Sequence, residues 1–244
     1  MSYLKSSWRP LFSPHLAAQL DDTRLNSLTA HHAMMASANL EAADLYCLEI
    51  HMADMRGANL SNANLSGARV RDSDLSGVEL SYAVIDSTDF TGTNLSGAHF
   101  SASTNTCRPE KGIHFSTILD HANLNGAFLE GAYFHALSAV HTRFDAAHMT
   151  HTSLYEAKAV NASFRGTHLE GADLRKANLR DADFTQADLR WAHFGGARLA
   201  GARFDGADLE GARFFVSDAI PEEVYARYRL LPDPTKPRTL IVGY

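Results

Sequence analysis

A five-residue repeat dominates this sequence of 244 residues. From Thr117 to Phe214 a large apolar residue stands at almost every fifth position, and alanine usually stands two positions before it, as in A-D-L-R-K and A-N-L-R-D. The same pattern runs from Ala38 to Phe100. A period of five fits neither an amphipathic helix, at about 3.6 residues, nor a simple strand, at about 2. The pattern therefore predicts a stack of repeated units with Ala and Leu or Phe inside.

A second period of 20 residues, four times as long as the first, is superimposed on it. The two weakest centres, Ala139 and Ala159, recur at this interval, and Val140 and Val160 follow them directly. Four aromatic centres have the same spacing: Phe144, Phe164, Phe184 and Phe204. Four five-residue sides would stack residues one coil apart, so we predict an all-β coil of about 20 residues per turn. We expect Val140 and Val160 to supply the bulk that the two alanines lack.

The repeat divides the chain into five segments. Its frame slips between Phe100 and Leu119, whose spacing is not a multiple of five. We therefore predict a projecting loop in which Arg108, Glu110 and Lys111 are solvated. The segments are an N-terminal cap with irregular first coils (1–36), the first block (37–100), the loop (101–116), the second block (117–214) and a C-terminal helix and tail (215–244).

The C-terminal segment has the pattern of an amphipathic helix. Pro221 followed by two glutamates suits a first helical turn, and Pro232 would end the helix. Its apolar stripe would consist of Ile220, Val224, Tyr225, Tyr228 and Leu231. The stripe either caps the open end of the stack or forms a homodimer contact, and the sequence leaves both open. The strand-like tail T-L-I-V-G-Y would dock on the same chain or on a partner.

Composition argues against several classes of protein. The net charge of −6 disfavours nucleic-acid binding through phosphate groups. No apolar run is long enough to cross a membrane and no signal peptide is evident, so we expect a cytoplasmic protein. Cys47 and Cys107 do not form a disulfide framework or a metal-type spacing. We find no catalytic motif, and we expect neither an enzyme nor a bound cofactor.

Histidines are numerous, and some recur at the coil period. His121 pairs with His141 in this way, and His148 pairs with His168. Two stacked imidazoles could bind a metal. Outward positions that tolerate any polar residue also explain them, and we assign no metal site.

Acidic residues concentrate in two places. Residues 37–100 hold nine acids and three bases. In the second block, one side of the predicted coil carries five acids against Arg190. We call it the acidic side, and its carboxylates belong to Glu130, Glu170, Asp188, Asp208 and Glu210. They form either a surface for a partner or a solvated surface that serves only solubility.

The tandem A-(D/N)-L-x-x units over 38–100 and 117–214 resemble the pentapeptide-repeat family. The resemblance implies a right-handed quadrilateral β-helix. It also implies protection of a type II DNA topoisomerase, in which a dimeric acidic rod mimics duplex DNA in the DNA-binding saddle. The acidic side and the loop with Arg108, Glu110 and Lys111 would then bind DNA gyrase or topoisomerase IV and give resistance to topoisomerase-targeting drugs or toxins. The alternative is a general protein-interaction scaffold or a secreted bacterial effector.

Overall fold

The computed structural model of the chain describes residues 24–100, 117–217, 219–236 and 239–243. Two predicted features lie outside them: most of the N-terminal cap, and the loop at 101–116 with Arg108, Glu110 and Lys111. Within the described ranges, no helix is long and apolar enough to cross a membrane.

The backbone winds in coils, and equivalent residues of neighbouring coils differ by 20 in residue number, as Asn39 and Asn59 do. Parallel β-bridges join such residues on four sides of the coil. The N–H of Leu45 donates to the carbonyl oxygen of Asn64 at 2.8 Å, one coil further on. On one side the bridges lengthen into the parallel sheet β1-β2-β3. Its strands are β1 (Thr29–His31), β2 (Glu49–His51) and β3 (Arg69–Arg71). The predicted coil period is therefore present in the backbone contacts.

A tight turn joins each side to the next. After Leu119, the N–H of Ala122 donates to the carbonyl oxygen of Leu119 at 2.9 Å, and φ of His121 is 60°. A bond from the fourth residue back to the first, with positive φ at the third, is the geometry of a type II β-turn. The chain then extends for one side, so the alanine and the central apolar residue point inward while the residue between them points outward.

The interior consists of columns of identical or similar side chains. Phe144, Phe164, Phe184 and Phe204 stack with ring centroids 5.0, 4.9 and 5.1 Å apart. They are nearly parallel and buried. The predicted aromatic column is confirmed, and it places one ring in each successive coil.

The prediction for Val140 and Val160 is wrong. Both are partly exposed, because they occupy the outward position that follows the centre. In the coil of Ala139 the buried residue Leu137 stands two positions before it, where most units carry alanine. The large and small inward residues of this unit have exchanged places, so the interior volume is kept.

The two blocks form one continuous stack. Asp89 bridges to Ile118, Asn94 to Asn123, and the next side follows the same register. Asn94 and Asn123 differ by 29 in residue number, whereas the corresponding pair Asn39 and Asn59 differs by 20. The coil that contains 101–116 therefore holds a nine-residue insertion, and the stack resumes on the same sides after it.

The C-terminal segment differs from its prediction. The helix α1 spans only Glu222–Arg227, and the sequence that should have continued it forms the strand β5 (Arg229–Pro232). Two further strands, β4 (Arg213–Phe215) and β6 (Thr239–Gly243), complete an antiparallel sheet in the order β4-β6-β5. The predicted helix through Leu231 is therefore wrong beyond Arg227. Backbone pairing with β6 replaces helical hydrogen bonds, and so short a helix has little stability of its own.

Candidate partner-binding surface

The coil register brings the five acids of the acidic side together. Parallel bridges run from Phe128 through His148, His168 and Asp188 to Asp208 along this side. The glutamates follow the buried centres Leu129, Leu169 and Leu209, so they form the neighbouring outward column. Adjacent coils lie about 4.8 Å apart, as strands do in a sheet. The predicted side is thus one continuous surface of the second block.

One arginine offsets part of this charge. The guanidinium Nη2 of Arg190 lies 2.7 Å from Asp188 Oδ2 and 3.0 Å from Glu170 Oε2. Its hydrogen bonds lower the pKa of the Asp188 carboxyl and raise the pKa of Arg190 itself. Five carboxylates and one guanidinium leave a net of four negative charges on the acidic side when its histidines are neutral. The surface stays acidic, but its centre is internally paired.

A ladder of stacked rings continues the acidic side toward the first block. His99 stacks on Phe128 at 4.5 Å, Phe128 on His148 at 4.8 Å, and His148 on His168 at 5.1 Å. The Nδ1 atom of His148 lies 3.8 Å from Glu130 Oε1. The stacking of His148 on His168 was predicted, as was that of His121 on His141 at 5.1 Å. The coil period could also have predicted that Phe128 stacks on His148. His99 lies on the other side of the insertion, so only the fold reveals that it stacks on Phe128.

The histidine pairs do not gather further ligands. Among the described residues there is no group of three or more His, Cys, Asp or Glu side chains placed to hold a metal ion. The stacked imidazoles lie on the outside of the coil, as outward polar positions do.

In the first block, the arginines already have acidic neighbours. Arg56 pairs with Asp54, and Arg69 and Arg71 pair with Glu49 and Asp89. All three bases of residues 37–100 are therefore engaged within the chain, and the acidic excess of this block remains on its surface.

The C-terminal stripe is divided by the structure. Ile220, Val224 and Tyr228 are buried against the end of the stack, whereas Tyr225 and Leu231 are about half exposed. The phenolic O–H of Tyr228 donates to the carbonyl oxygen of Ala207 at 2.8 Å. The stripe thus caps the last coil with three side chains, and two apolar side chains remain at the surface.

Comparison with known proteins defines the class of this rod. The family model described as pentapeptide repeats (8 copies) matches residues 18–62, 58–97 and 119–150. The model described as a pentapeptide repeat region matches residues 138–214. Together they cover most of the chain, which therefore belongs to the pentapeptide-repeat family and has its right-handed β-helix.

Similar solved structures include two pentapeptide-repeat proteins with different roles. The chain is 25% identical to HetL of the cyanobacterium Nostoc sp. strain PCC 7120, a pentapeptide repeat protein involved in heterocyst differentiation regulation, with coverage of 80% of this chain and 86% of that chain and a TM-score of 0.39. It is 19% identical to full-length QnrB1, a plasmid-mediated fluoroquinolone resistance protein, with coverage of 80% and 92% and a TM-score of 0.40. No match was found among curated protein sequences.

Proposed function

We propose that this chain is a non-enzymatic binding protein whose acidic side occupies the DNA-binding surface of a type II DNA topoisomerase, DNA gyrase or topoisomerase IV. The observation that supports the proposal most is the register of the five acids. It fixes their carboxylates on one rigid side, at multiples of the coil spacing of about 4.8 Å along the rod. Such an array can meet the Lys and Arg side chains that otherwise contact DNA phosphates. Protection from topoisomerase-targeting drugs or toxins would follow, in the cytoplasm.

The interior of the rod supports a role without catalysis. The inward positions of the described coils hold apolar residues, serine or threonine. Catalytic acid–base groups need a recess in which water is excluded. The proposed activity therefore resides on outward side chains, and we propose no cofactor.

A general protein-interaction scaffold, including a secreted bacterial effector, is the second candidate. The pairing of Arg190 with Glu170 and Asp188 favours it, because a mimic of the phosphate array would keep those carboxylates free. A homodimer through exposed Tyr225 and Leu231 is compatible with either function.

A supercoiling assay with purified gyrase, with and without a fluoroquinolone, tests the proposal. At micromolar concentrations, we expect the native chain either to inhibit supercoiling by gyrase or to relieve the inhibition of gyrase by the drug. Neutralising the acidic side by Glu130→Gln, Glu170→Gln, Asp188→Asn, Asp208→Asn and Glu210→Gln should abolish the effect.

The matched control removes five acids from other sides of the same block. It carries Asp145→Asn, Glu156→Gln, Asp173→Asn, Asp183→Asn and Asp205→Asn, and it should behave like the native chain. If the native chain neither binds gyrase nor changes its activity, the topoisomerase function is wrong. If both variants act alike, the acidic side is not the contact surface.

A further inference from the structure

The basic residues of the second block are distributed unevenly among its sides. Residues 117–214 contain ten lysines and arginines. Seven of them lie within 4.0 Å of a carboxylate: Arg143, Arg165, Arg175, Lys176, Arg190, Arg203 and Arg213. Lys158, Arg180 and Arg198 have no such partner among the described residues, and all three are exposed.

These three unpaired bases share one side of the rod. Parallel bridges join Lys158 to Asn178 and Asn178 to Arg198, so these three residues form one outward column. Arg180 follows the buried centre Leu179 on the same side. We call this surface, formed by Lys158, Arg180 and Arg198, the cationic side.

The cationic side also carries aliphatic side chains and an acid that already accepts hydrogen bonds. Val140 and Val160, which follow the centres Ala139 and Ala159 of this side, are partly exposed. One acid of this side, Asp120, accepts hydrogen bonds at 2.8 Å from Ser138 Oγ and from the backbone N–H of Val140. Arginine together with apolar surface is typical of protein interfaces, whereas a nucleic-acid surface is more uniformly basic.

The cationic side and the acidic side lie on opposite faces of the same coils. Their buried centres are two repeat units apart, which is half of a coil. One side therefore presents unpaired bases, and the other presents acids beside a ladder of His and Phe rings. The charges of both sides are separated by whole coils of about 4.8 Å, so the two surfaces are opposite in sign and share one period.

We propose that the cationic side of one copy binds the acidic side of a second copy, so that rods associate laterally. Charge complementarity and the common coil spacing select this occupant, and the net charge of −6 works against a polyanion. Contact between unlike surfaces leaves one of each free, so association can continue beyond two copies. This inference goes beyond the proposed function, and it predicts that self-association competes with any partner of the acidic side.

Sedimentation velocity of the full chain tests the association without any topoisomerase. At about 0.05 M salt the weight-average mass should rise with protein concentration up to about 100 μM, and about 0.5 M salt should suppress the rise. The variant K158E/R180E/R198E should raise the apparent dissociation constant at least about tenfold. Circular dichroism confirms that each variant is folded.

The matched control moves the same charge change to another side. R143E/R165E/R203E alters the net charge equally, and its residues lie beside the adjoining column of Phe centres. It should associate much as the native chain does. An equal loss in both variants would show a general charge effect and would overturn the proposal.

Charge exchange gives the positive test. The variant E130K/E170K/E210K should not associate with itself, but a fluorescent form of it should bind K158E/R180E/R198E. Absence of this mixed association overturns the proposal, as does native protein that keeps one mass at low salt and about 100 μM. A mass increase that salt does not reduce overturns it too and assigns the contact to apolar residues instead. Should only a fluorescent oligonucleotide bind the cationic side, the occupant is a polyanion and not a second copy.

Discussion

At the scale of single residues, each corner of the coil requires one residue with positive φ. Glycine fills this place at Gly131 and Gly211, and His151 and Trp191 fill it in other coils of the same corner column. This left-handed conformation is energetically unfavourable for non-glycine residues. The hydrogen bonds between stacked coils must therefore outweigh the local backbone strain.

Replacement of glycine at two positions of this corner column separates the cost of backbone strain from the cost of a side-chain clash. Gly131→Ala meets open space, whereas a Cβ at Gly211 would lie 2.3 Å from Cε3 of Trp191. Both have similar positive φ, so G131A should lose about 1 kcal/mol from backbone strain and G211A should lose more. Urea denaturation measures the difference, and tryptophan fluorescence should change in G211A. Equal losses would show that Trp191 moves aside freely.

Buried threonines explain irregularities in the alanine position. The Oγ1–H groups of Thr142 and Thr152 donate to the carbonyl oxygens of Leu119 and Leu129, both at 2.6 Å, in the preceding coil. Thr88 and Thr93 make the same contact in the first block. The hydroxyl is satisfied inside the rod, so threonine costs little at a position that otherwise favours alanine.

His193 predicts a measurable pH dependence. Burial lowers the pKa of His193 from its ordinary value of 6.5, and Arg175, Arg213 and Lys236 act in the same direction against Asp173. The unfolded chain takes up a proton near pH 6.5 and the folded chain resists it, so stability falls as the pH drops through this value.

The replacement His193→Asn removes this group and keeps a residue type that the repeat carries at equivalent outward positions. The urea midpoint of H193N should fall less than that of the native chain between about pH 7.5 and about pH 5.5. His141→Asn, at an exposed corner, serves as the control. Parallel curves for H193N and the native chain would contradict the assignment.

At the scale of elements, the C-terminal segment substitutes for a missing coil. In the middle of the rod, the N–H of Leu189 donates to the carbonyl oxygen of Asp208 in the next coil at 2.7 Å. Among the described residues no further coil stacks on Leu209, and its N–H lies 3.4 Å from the hydroxyl of Tyr228. On the adjoining side, the backbone of Val242 in β6 bonds with both Gly211 and Ala212 at 2.9 Å. The cap therefore satisfies backbone groups that an open end would expose.

Removal of one hydroxyl tests the cap. Tyr228→Phe should lower the free energy of unfolding by about 1 kcal/mol, because the buried carbonyl of Ala207 and the N–H of Leu209 both lose a partner. Tyr225→Phe changes an exposed ring on the preceding helix α1 and should have no measurable effect. Chemical denaturation of the two variants makes the comparison, and equal stabilities would show that solvent replaces the hydroxyl.

At the scale of the whole molecule, the rod depends on coil register more than on any one contact. Its inward columns and its parallel bridges all repeat once per coil. Each coil contacts only its neighbours, so stability is approximately a sum over coils and their interfaces. A natural nine-residue insertion is tolerated because the stack resumes on the same sides.

Duplication of repeat segments tests this dependence. A second copy of residues 160–179 adds one complete coil and should leave the urea midpoint unchanged or higher. A second copy of 160–169 adds half a coil, which moves Phe184 and Phe204 to the side opposite Phe144. This variant should unfold at lower urea concentration, although its five-residue pattern is intact. Circular dichroism follows both, and equal midpoints would show that the columns contribute little.

The sequence by itself determined the repeat, the coil period, the phenylalanine column and the acidic side. All of these follow from local periodicity, because a regular solenoid converts spacing along the chain directly into position in space. The structure alone decided that Arg190 is paired while Arg180 and Arg198 have no carboxylate partner among the residues that it describes, since side-chain reach is not encoded in spacing. It also decided that Arg229–Pro232 is a strand, because its partner β6 and the open coil end are non-local. Likewise, only the stack across residues 101–116 brings His99 onto Phe128.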